Sequence, residues 1–168
     1  MPTAQGGCLC GEIRYEVRSQ PTRVTVCHCR FCQRATGSAY LVEPIFDKAD
    51  LAITQGETRC YTHRSEGSGK QVYVHFCQDC GTKLYLAFER FADVVGLYGG
   101  TFDDPNWFDR SSEVSKHIFL GVAQTGTVIP PGVKTYVRHA TTNDGEPEEP
   151  TVFTEPRVIE PVGRRSSG

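Results

Sequence analysis

Three cysteine motifs in a fixed order constrain this chain more than any other feature. They are a C-x-C pair, a C-x-C-x-x-C cluster and a C-x-x-C pair followed by glycine, formed by Cys8 and Cys10, by Cys27, Cys29 and Cys32, and by Cys77 and Cys80. The N-terminus lacks the charged and apolar regions of a secretory signal, so we expect a cytoplasmic protein. In a reduced compartment, clustered cysteines hold metal more often than they form disulfides. The spacing therefore predicts metal sites.

The first and third motifs are predicted to share one zinc ion. A C-x-x-C-G turn points both sulfurs at one position, and its glycine lets backbone N–H groups approach the thiolates. Two cysteines spaced C-x-C on an extended chain also face one side. Together Cys8, Cys10, Cys77 and Cys80 supply the four thiolates of a closed structural zinc site. Such a site would contribute to the free energy of folding.

The middle motif is predicted to form a different kind of site. Cys27, Cys29 and Cys32 offer three sulfurs within six residues, which leaves one position of a tetrahedral zinc ion open. An all-thiolate shell suits an incoming thiol, and zinc would lower the pKa of that thiol and hold it as a thiolate. We expect this second zinc to be reactive and more weakly bound than the first, because its three ligands come from one short segment.

The same motifs resemble a known family. The stretch GGCLCGEIRY at 6–15, CHCRFCQR at 27–34 followed by TGS, FCQDCGT at 76–82 and KHIF at 116–119 are similar to the ordered motifs of the glutathione-dependent formaldehyde-activating enzymes, a family that includes centromere protein V. The resemblance covers roughly residues 4–137. It rests on three cysteine motifs in the same order, which makes it specific.

The resemblance implies a fold, two zinc sites and a reaction. The fold is mainly β, of the β-tent type. By position, Cys8, Cys10, Cys77 and Cys80 would be the structural zinc site, and Cys27, Cys29 and Cys32 would form the site near which glutathione binds. The family's named reaction is the addition of glutathione to formaldehyde, which gives S-hydroxymethylglutathione.

The pattern of the remaining sequence also predicts a mainly β protein. Short β-branched segments separated by glycine or proline favour packed antiparallel sheets with zinc knuckles and few short helical turns. One such turn is predicted over residues 30–36, ended by Gly37. We assign residues 1–139 to one zinc-binding domain and residues 140–168 to an acidic, proline-containing C-terminal tail. The alternative is a docking arm whose apolar pairs, at 152–153 and 158–159, add to a sheet edge or a second subunit.

Charge and hydropathy exclude other classes of partner. The formal net charge is −2, so the chain lacks the excess of basic residues that phosphate binding requires. No apolar run approaches the roughly 18 residues of a membrane span. We therefore expect neither nucleic acid nor a membrane as a partner. Glutathione or a similar small thiol is the expected partner. The sequence is compatible with a monomer and with a homo-oligomer.

Four further residues have two interpretations each. Arg30 and Arg34 flank the middle motif and could bind a substrate carboxylate, or they could be ordinary surface charges. Cys60 is predicted to be a small buried hydrophobe, the alternative being a fourth ligand of the second zinc. His28 lies between two ligands and is predicted at the surface or behind the ligands, in contact with them.

Two functions stay in competition, and a third is disfavoured. The first is a zinc-dependent carbon–sulfur lyase or synthase that acts on glutathione adducts, for example by forming S-hydroxymethylglutathione from glutathione and formaldehyde or a related electrophile. The second is a non-catalytic, zinc-stabilised module that binds glutathione or a protein. A zinc-ribbon-like nucleic-acid module is disfavoured by the near-neutral charge.

Overall fold

The architecture is mainly β, as predicted. The computed structural model describes residues 3–161, which form fourteen strands, one α-helix and three short 3₁₀ turns. The strands are β1 (Ala4–Gly7), β2 (Arg14–Val17), β3 (Arg23–Cys27), β4 (Leu41–Asp47), β5 (Leu51–Gln55), β6 (Arg59–Arg64), β7 (Gln71–Phe76), β8 (Lys83–Phe88), β9 (Val94–Leu97), β10 (Ser115–Ile118), β11 (Val128–Ile129), β12 (Lys134–Thr135), β13 (Thr151–Val152) and β14 (Arg157–Val158). The helix is α1 (Arg30–Thr36), and the 3₁₀ turns are Lys48–Asp50, Gly99–Thr101 and Leu120–Val122.

Three sheets contain all of these strands. The largest has the order β13-β12-β10-β3-β4-β9-β8-β7-β6, the second is β1-β2-β5, and β11 pairs with β14. Most pairings are antiparallel, which confirms the predicted sheets. Two pairings are parallel, β3 with β10 and β10 with β12, so the large sheet is mixed.

The large sheet separates two apolar cores. Side chains of a strand alternate between its faces, so β3 sends Val24 to one core and Cys27 to the other. The first core packs the three-stranded sheet against the large one, and it includes Tyr15, Val17, Phe46 and Leu97. The second core includes Cys32, Leu41, Leu86 and Tyr98. Each fully buried side chain of this size contributes about 1.5–3 kcal/mol relative to exposure.

Helix α1 begins and ends at the residues that the sequence predicts. The N-cap is Cys29, whose sulfur accepts the N–H of Cys32 at 3.3 Å. Gly37 ends the helix in the left-handed region, with φ 66°, and donates its N–H to the carbonyl of Gln33. Among residues 3–161, no helix combines the length and apolarity needed to cross a bilayer.

The C-terminal segment is attached to the body by two strand pairs. Strand β13 pairs with β12, and β14 pairs with β11, so that Val152 lies opposite Lys134 and Val158 opposite Val128. Strands at an edge have free N–H and C=O groups, and an extended segment satisfies them. The structure thus favours the docking arm over the loose tail for this part of residues 140–168. Residues 162–168 lie outside the described residues, and the domain boundary at residue 139 stays a prediction.

Two single-residue predictions were wrong. Cys60 was predicted to be buried, but it is exposed, because it lies on β6 at the edge of the large sheet. The surface position predicted for His28 is also wrong, because its side chain is 0% exposed. The His28 ring lies against Tyr40 and His117, and the backbone N–H of His28 donates to the carbonyl of Ile118.

Candidate metal centres and an adjoining cleft

The structure brings the first and third cysteine motifs together. The sulfurs of Cys8, Cys10, Cys77 and Cys80 all lie within 4.8 Å of one another, with 3.5 Å between the first two and 3.7 Å between Cys10 and Cys77. A tetrahedral zinc ion with Zn–S bonds of about 2.3 Å has edges of about 3.8 Å. The donor set and its spacing therefore fit a tetrahedral thiophilic metal ion.

Two turns of the same kind present these sulfurs. In each turn the N–H of the first cysteine donates to the carbonyl five residues later, at 3.1 Å from Cys8 and 2.9 Å from Cys77. The residue three or four positions later is a glycine with positive φ, 82° at Gly11 and 74° at Gly81, whose N–H donates back to the first cysteine's carbonyl. A side chain at either glycine would be strained, since L-residues rarely adopt this conformation.

Hydrogen bonds to the sulfurs of Cys8 and Cys80 favour the thiolate form that a metal needs. The N–H of Ile13 donates to Sγ of Cys8 at 3.2 Å. The hydroxyl of Thr82 lies 3.2 Å from Sγ of Cys80. The pKa of Cys80 is lowered to about 5, first by this hydroxyl and then by the backbone of the same threonine. Metal binding requires deprotonated cysteines, so these contacts prepare the cluster for it.

The middle motif forms a second cluster on the opposite face of the large sheet from the first core. Cys27 ends β3, Cys29 caps α1 and Cys32 lies in its first turn, and their three sulfurs lie within 4.8 Å of one another. Cys27 and Cys32 are buried, whereas Cys29 is half-buried. The strand-to-helix turn thus gathers three donors and leaves the side of Cys29 accessible.

The three thiols differ strongly in acidity. The pKa of Cys29 is lowered to about 3, first because the thiols of Cys27 and Cys32 donate to it, with backbone N–H groups adding to the effect. The pKa values of Cys27 and Cys32 are raised by the same contacts and by burial. Cys29 is therefore the thiol of this cluster that loses its proton most readily, and a metal ion would displace the protons of the other two.

Two buried polar groups share this face of the sheet, and sequence reasoning missed both. The Tyr98 hydroxyl and Oε1 of Glu43 have no hydrogen-bond partner within residues 3–161. Burial and then the negative charge of Cys29 raise the pKa of Glu43 to about 8. A Cβ at Gly96 would collide with the Glu43 carboxyl, so the glycine makes room for it. One sequence signal was available, since Glu43 interrupts an otherwise apolar stretch of β4.

A cleft of about 480 Å³ is lined by residues that follow both clusters in the sequence, whereas the seven clustered cysteines are not among its lining residues in the described part of the chain. Thr36 and Ser38, which follow Cys32, form one wall, and residues 81–83, which follow Cys80, form another. Tyr98 also lines this cleft, and its side chain belongs to the core that contains Cys27 and Cys32. The lining is mainly apolar, and its polar groups come from residues that include Thr36, Ser38, Thr82 and Lys83, a combination usual for a small-molecule site.

The remaining predicted site residues lie outside the cleft. Arg30 and Arg34 are exposed on α1, and neither lines the cleft. The Arg30 guanidinium donates to Oε1 of Gln33. Cys60 belongs to neither cluster, so the alternative of a fourth cysteine at the second site is wrong in residues 3–161.

Three comparisons relate this chain to known proteins. The model of the glutathione-dependent formaldehyde-activating enzyme family matches residues 3–121. A Halomonas elongata relative named after that family is 23% identical over 136 residues, which cover 70% of this chain and 87% of the relative. An uncharacterized lyase of Schizosaccharomyces pombe is 25% identical over 88 residues, 52% of this chain and 60% of that protein.

A solved structure of a Rhodobacter sphaeroides protein aligns with a TM-score of 0.48 and 19% identity, over 59% of this chain and 87% of that one. The match to the family model is the decisive comparison, because it spans most of the chain and includes all seven clustered cysteines. This protein therefore belongs to the glutathione-dependent formaldehyde-activating enzyme family.

Proposed function

We propose that this protein is a zinc-dependent carbon–sulfur lyase or synthase that joins glutathione to formaldehyde or a related aldehyde. In this reaction the sulfur of the thiol forms a bond to the carbonyl carbon. The C=O π bond breaks, and the thiol proton is replaced by a proton on the resulting hydroxyl. The product is S-hydroxymethylglutathione when the aldehyde is formaldehyde. The observation that carries the proposal is the position of Tyr98, which lines the cleft and packs beside the three-cysteine cluster.

Two cysteine clusters support this function. Cys8, Cys10, Cys77 and Cys80 would hold a structural ion, and Cys27, Cys29 and Cys32 would hold a second ion with an open position. When bound at the second site, zinc supplies Lewis acidity and stabilises a thiolate at neutral pH. The three-cysteine cluster already favours a negative charge at Cys29, as its lowered pKa indicates.

The cleft would bind glutathione through its charged ends. The Lys83 ammonium is suited to a carboxylate, and the Thr36 and Ser38 hydroxyls are suited to peptide groups. Arg30 and Arg34 would contact only a part of the substrate that extends beyond the cleft. Gly100 lets a ligand approach the backbone closely, since a Cβ there would point into open space, whereas the missing side chain of Gly99 makes room for Val42 and Phe108.

Tyr98 would donate a hydrogen bond to the aldehyde oxygen, and Glu43 would affect the charge of the site. The Tyr98 hydroxyl has no hydrogen-bond partner within residues 3–161, so its proton is available to a ligand. Burial keeps the pKa of this hydroxyl above the ordinary value, so the hydroxyl stays protonated. It would donate to the carbonyl oxygen and more strongly to the negative charge that develops there. Glu43, with a pKa of about 8, is largely neutral at pH 7 and so adds little negative charge beside Cys29.

The test compares two single cysteine variants. Cys29→Ser removes one donor of the second cluster, and Cys60→Ser changes an exposed cysteine outside both clusters. We expect Cys29→Ser to lower the zinc content from about two ions to about one per chain and to abolish thiol-dependent turnover above the uncatalysed rate, with the fold retained. Cys60→Ser should match the wild type in both measurements.

Two results would contradict the enzyme proposal. One is full turnover in Cys29→Ser, and the other is wild-type protein that accelerates no addition of glutathione to any aldehyde. Full turnover in Cys29→Ser would remove the three-cysteine cluster from the reaction. The absence of any acceleration by the wild type would replace the proposal by the non-catalytic module that binds glutathione or a protein and uses zinc for folding.

A further inference from the structure

A second cavity lies on the other face of the large sheet from the three-cysteine cluster. Its volume is about 270 Å³. Strand register places Ser115 beside Val24 and His117 beside Val26, whereas Cys27 pairs with Ile118. Because side chains alternate along a strand, Ser115 and His117 point away from the face that contains Cys27. The cavity is therefore separate from the candidate active site.

The floor of this cavity presents hydrogen-bonding groups without partners. Ser115 is 7% exposed, and its hydroxyl has no hydrogen-bond partner within residues 3–161. His117 is also 7% exposed, and its Nδ1 is hydrogen-bonded to Nε2 of His28 at 3.0 Å, which leaves its own Nε2 for a ligand. Buried polar groups are normally paired, so an unpaired hydroxyl in a cavity indicates a missing ligand or water.

The rim adds a positive charge. Arg110 lines the cavity and forms no ion pair within residues 3–161. The neighbouring Asp109 carboxylate is occupied by Ser111, which donates its N–H at 2.8 Å and its hydroxyl at 2.7 Å. The Arg110 guanidinium is therefore available to a ligand. The remaining lining comprises two serines, at 111 and 112, and an apolar part that includes Val26 and two prolines and limits the size of that ligand.

We infer that this cavity binds a small oxyanion, with Arg110 supplying the charge and Ser115 and His117 supplying hydrogen bonds at the floor. Carboxylate and phosphate oxygens match this set of donors, because guanidinium groups bind both in a fork and a hydroxyl donates to a single oxygen. A neutral ligand would leave the guanidinium charge without a partner. This inference does not depend on the proposed function, since it uses a different face of the sheet.

The experiment titrates the zinc-loaded full chain with phosphate, sulfate and acetate in separate arms at constant ionic strength. Backbone amide NMR signals of residues 110–117 report binding, and the melting temperature reports the linked stabilisation. We expect saturable shifts with at least one anion. Arg110→Gln should weaken binding by about tenfold or more, and Arg110→Lys should weaken it less. Arg138→Gln, a change of an exposed arginine elsewhere, should have no effect.

Ser115→Ala separates a binding role from a structural one. It removes a buried hydroxyl that has no partner in residues 3–161, so the unliganded protein should be at least as stable as the wild type. Binding of the anion should still weaken several-fold, by about threefold to tenfold. A preference for phosphate would assign phosphorylated small molecules, and a preference for acetate would assign carboxylates.

The inference fails if none of the three anions produces saturable shifts, which would mean that the cavity holds water alone. It also fails if Arg110→Gln and Ser115→Ala bind the anion as tightly as the wild type.

Discussion

The backbone N–H of Leu9 donates to the hydroxyl of Thr82 at 3.1 Å, although 73 positions separate the two residues. The same hydroxyl lies 3.2 Å from Sγ of Cys80. One threonine therefore connects the N-terminal turn to the C-x-x-C turn and orients a sulfur of the four-cysteine cluster. Such contacts behind a ligand fix its orientation and its acidity.

Replacement of Thr82 by valine tests this role. Thr82→Val keeps the shape of the side chain and removes both hydrogen bonds, so we expect metal affinity at the four-cysteine cluster to fall by about 10- to 100-fold. Competition with a chromophoric chelator measures the affinity. Thr82→Ser retains the hydroxyl and should restore most of it. Equal affinities of Thr82→Val and the wild type would show that the hydroxyl has no effect on the metal.

Replacement of Tyr98 by phenylalanine tests the hydrogen bond to the aldehyde oxygen. Tyr98→Phe should lower kcat by about 10²-fold, because one preorganised donor to a developing oxyanion has an effect of this order. The zinc content and the dissociation constant for glutathione should change little. Tyr61→Phe, at a tyrosine that is 59% exposed, is the matched control. An unchanged kcat in Tyr98→Phe would remove this residue from the mechanism.

Stability should depend on the protonation of His139. Burial, together with the positive charges of Arg90 and Lys116, lowers the pKa of this histidine to about 4, against an ordinary value of 6.5. Between these pH values the unfolded chain binds the proton and the folded chain does not, so stability is lost as the pH falls through this window. The contribution between pH 7 and pH 5 is about 1–2 kcal/mol.

Urea unfolding at pH 7 and pH 5 measures this effect in the wild type and in His139→Gln. The variant lacks the titrating group, so its stability should fall by less between the two pH values. Other groups, including the cysteine clusters, also respond to pH, and the comparison cancels their shared contribution. Parallel pH dependences of the two proteins would contradict the prediction.

The C-terminal segment should protect the three-cysteine cluster. Ala140 is buried in the core that contains Cys27 and Cys32, and the Arg90 guanidinium donates to the carbonyl of Thr142. Removal of residues 140–168 should therefore lower the melting temperature by several degrees and accelerate alkylation of the middle cysteines. Arg90→Gln should have a smaller effect in the same direction. A truncated protein with the wild-type melting temperature and alkylation rate would show that the segment is a dispensable tail.

Sequence reasoning predicted those parts of the site that local spacing determines. Turns with C-x-C and C-x-x-C-G spacing bring their own sulfurs together, and α1 ends at Gly37 because glycine adopts the left-handed conformation. Pro44 lowers the strand signal in the centre of β4, although the strand continues to Asp47. Glu43 was missed because it approaches the cysteines only through the pairing of β3 with β4, and Tyr98 because it follows β9, which pairs with β4 from about 50 residues away.

The parallel pairing of β3 with β10 has a consequence for the protein during its synthesis. The two strands are separated by about 90 residues. One edge of the segment Arg23–Cys27 obtains its strand partner only when Ser115–Ile118 pairs with it. On the ribosome, Cys27, Cys29 and Cys32 therefore emerge long before β10 can cover their strand. Contacts between such distant segments form slowly, because closure of the long intervening loop costs entropy first. The thiols of the nascent chain thus stay open to zinc and to oxidants until most of the polypeptide has been made.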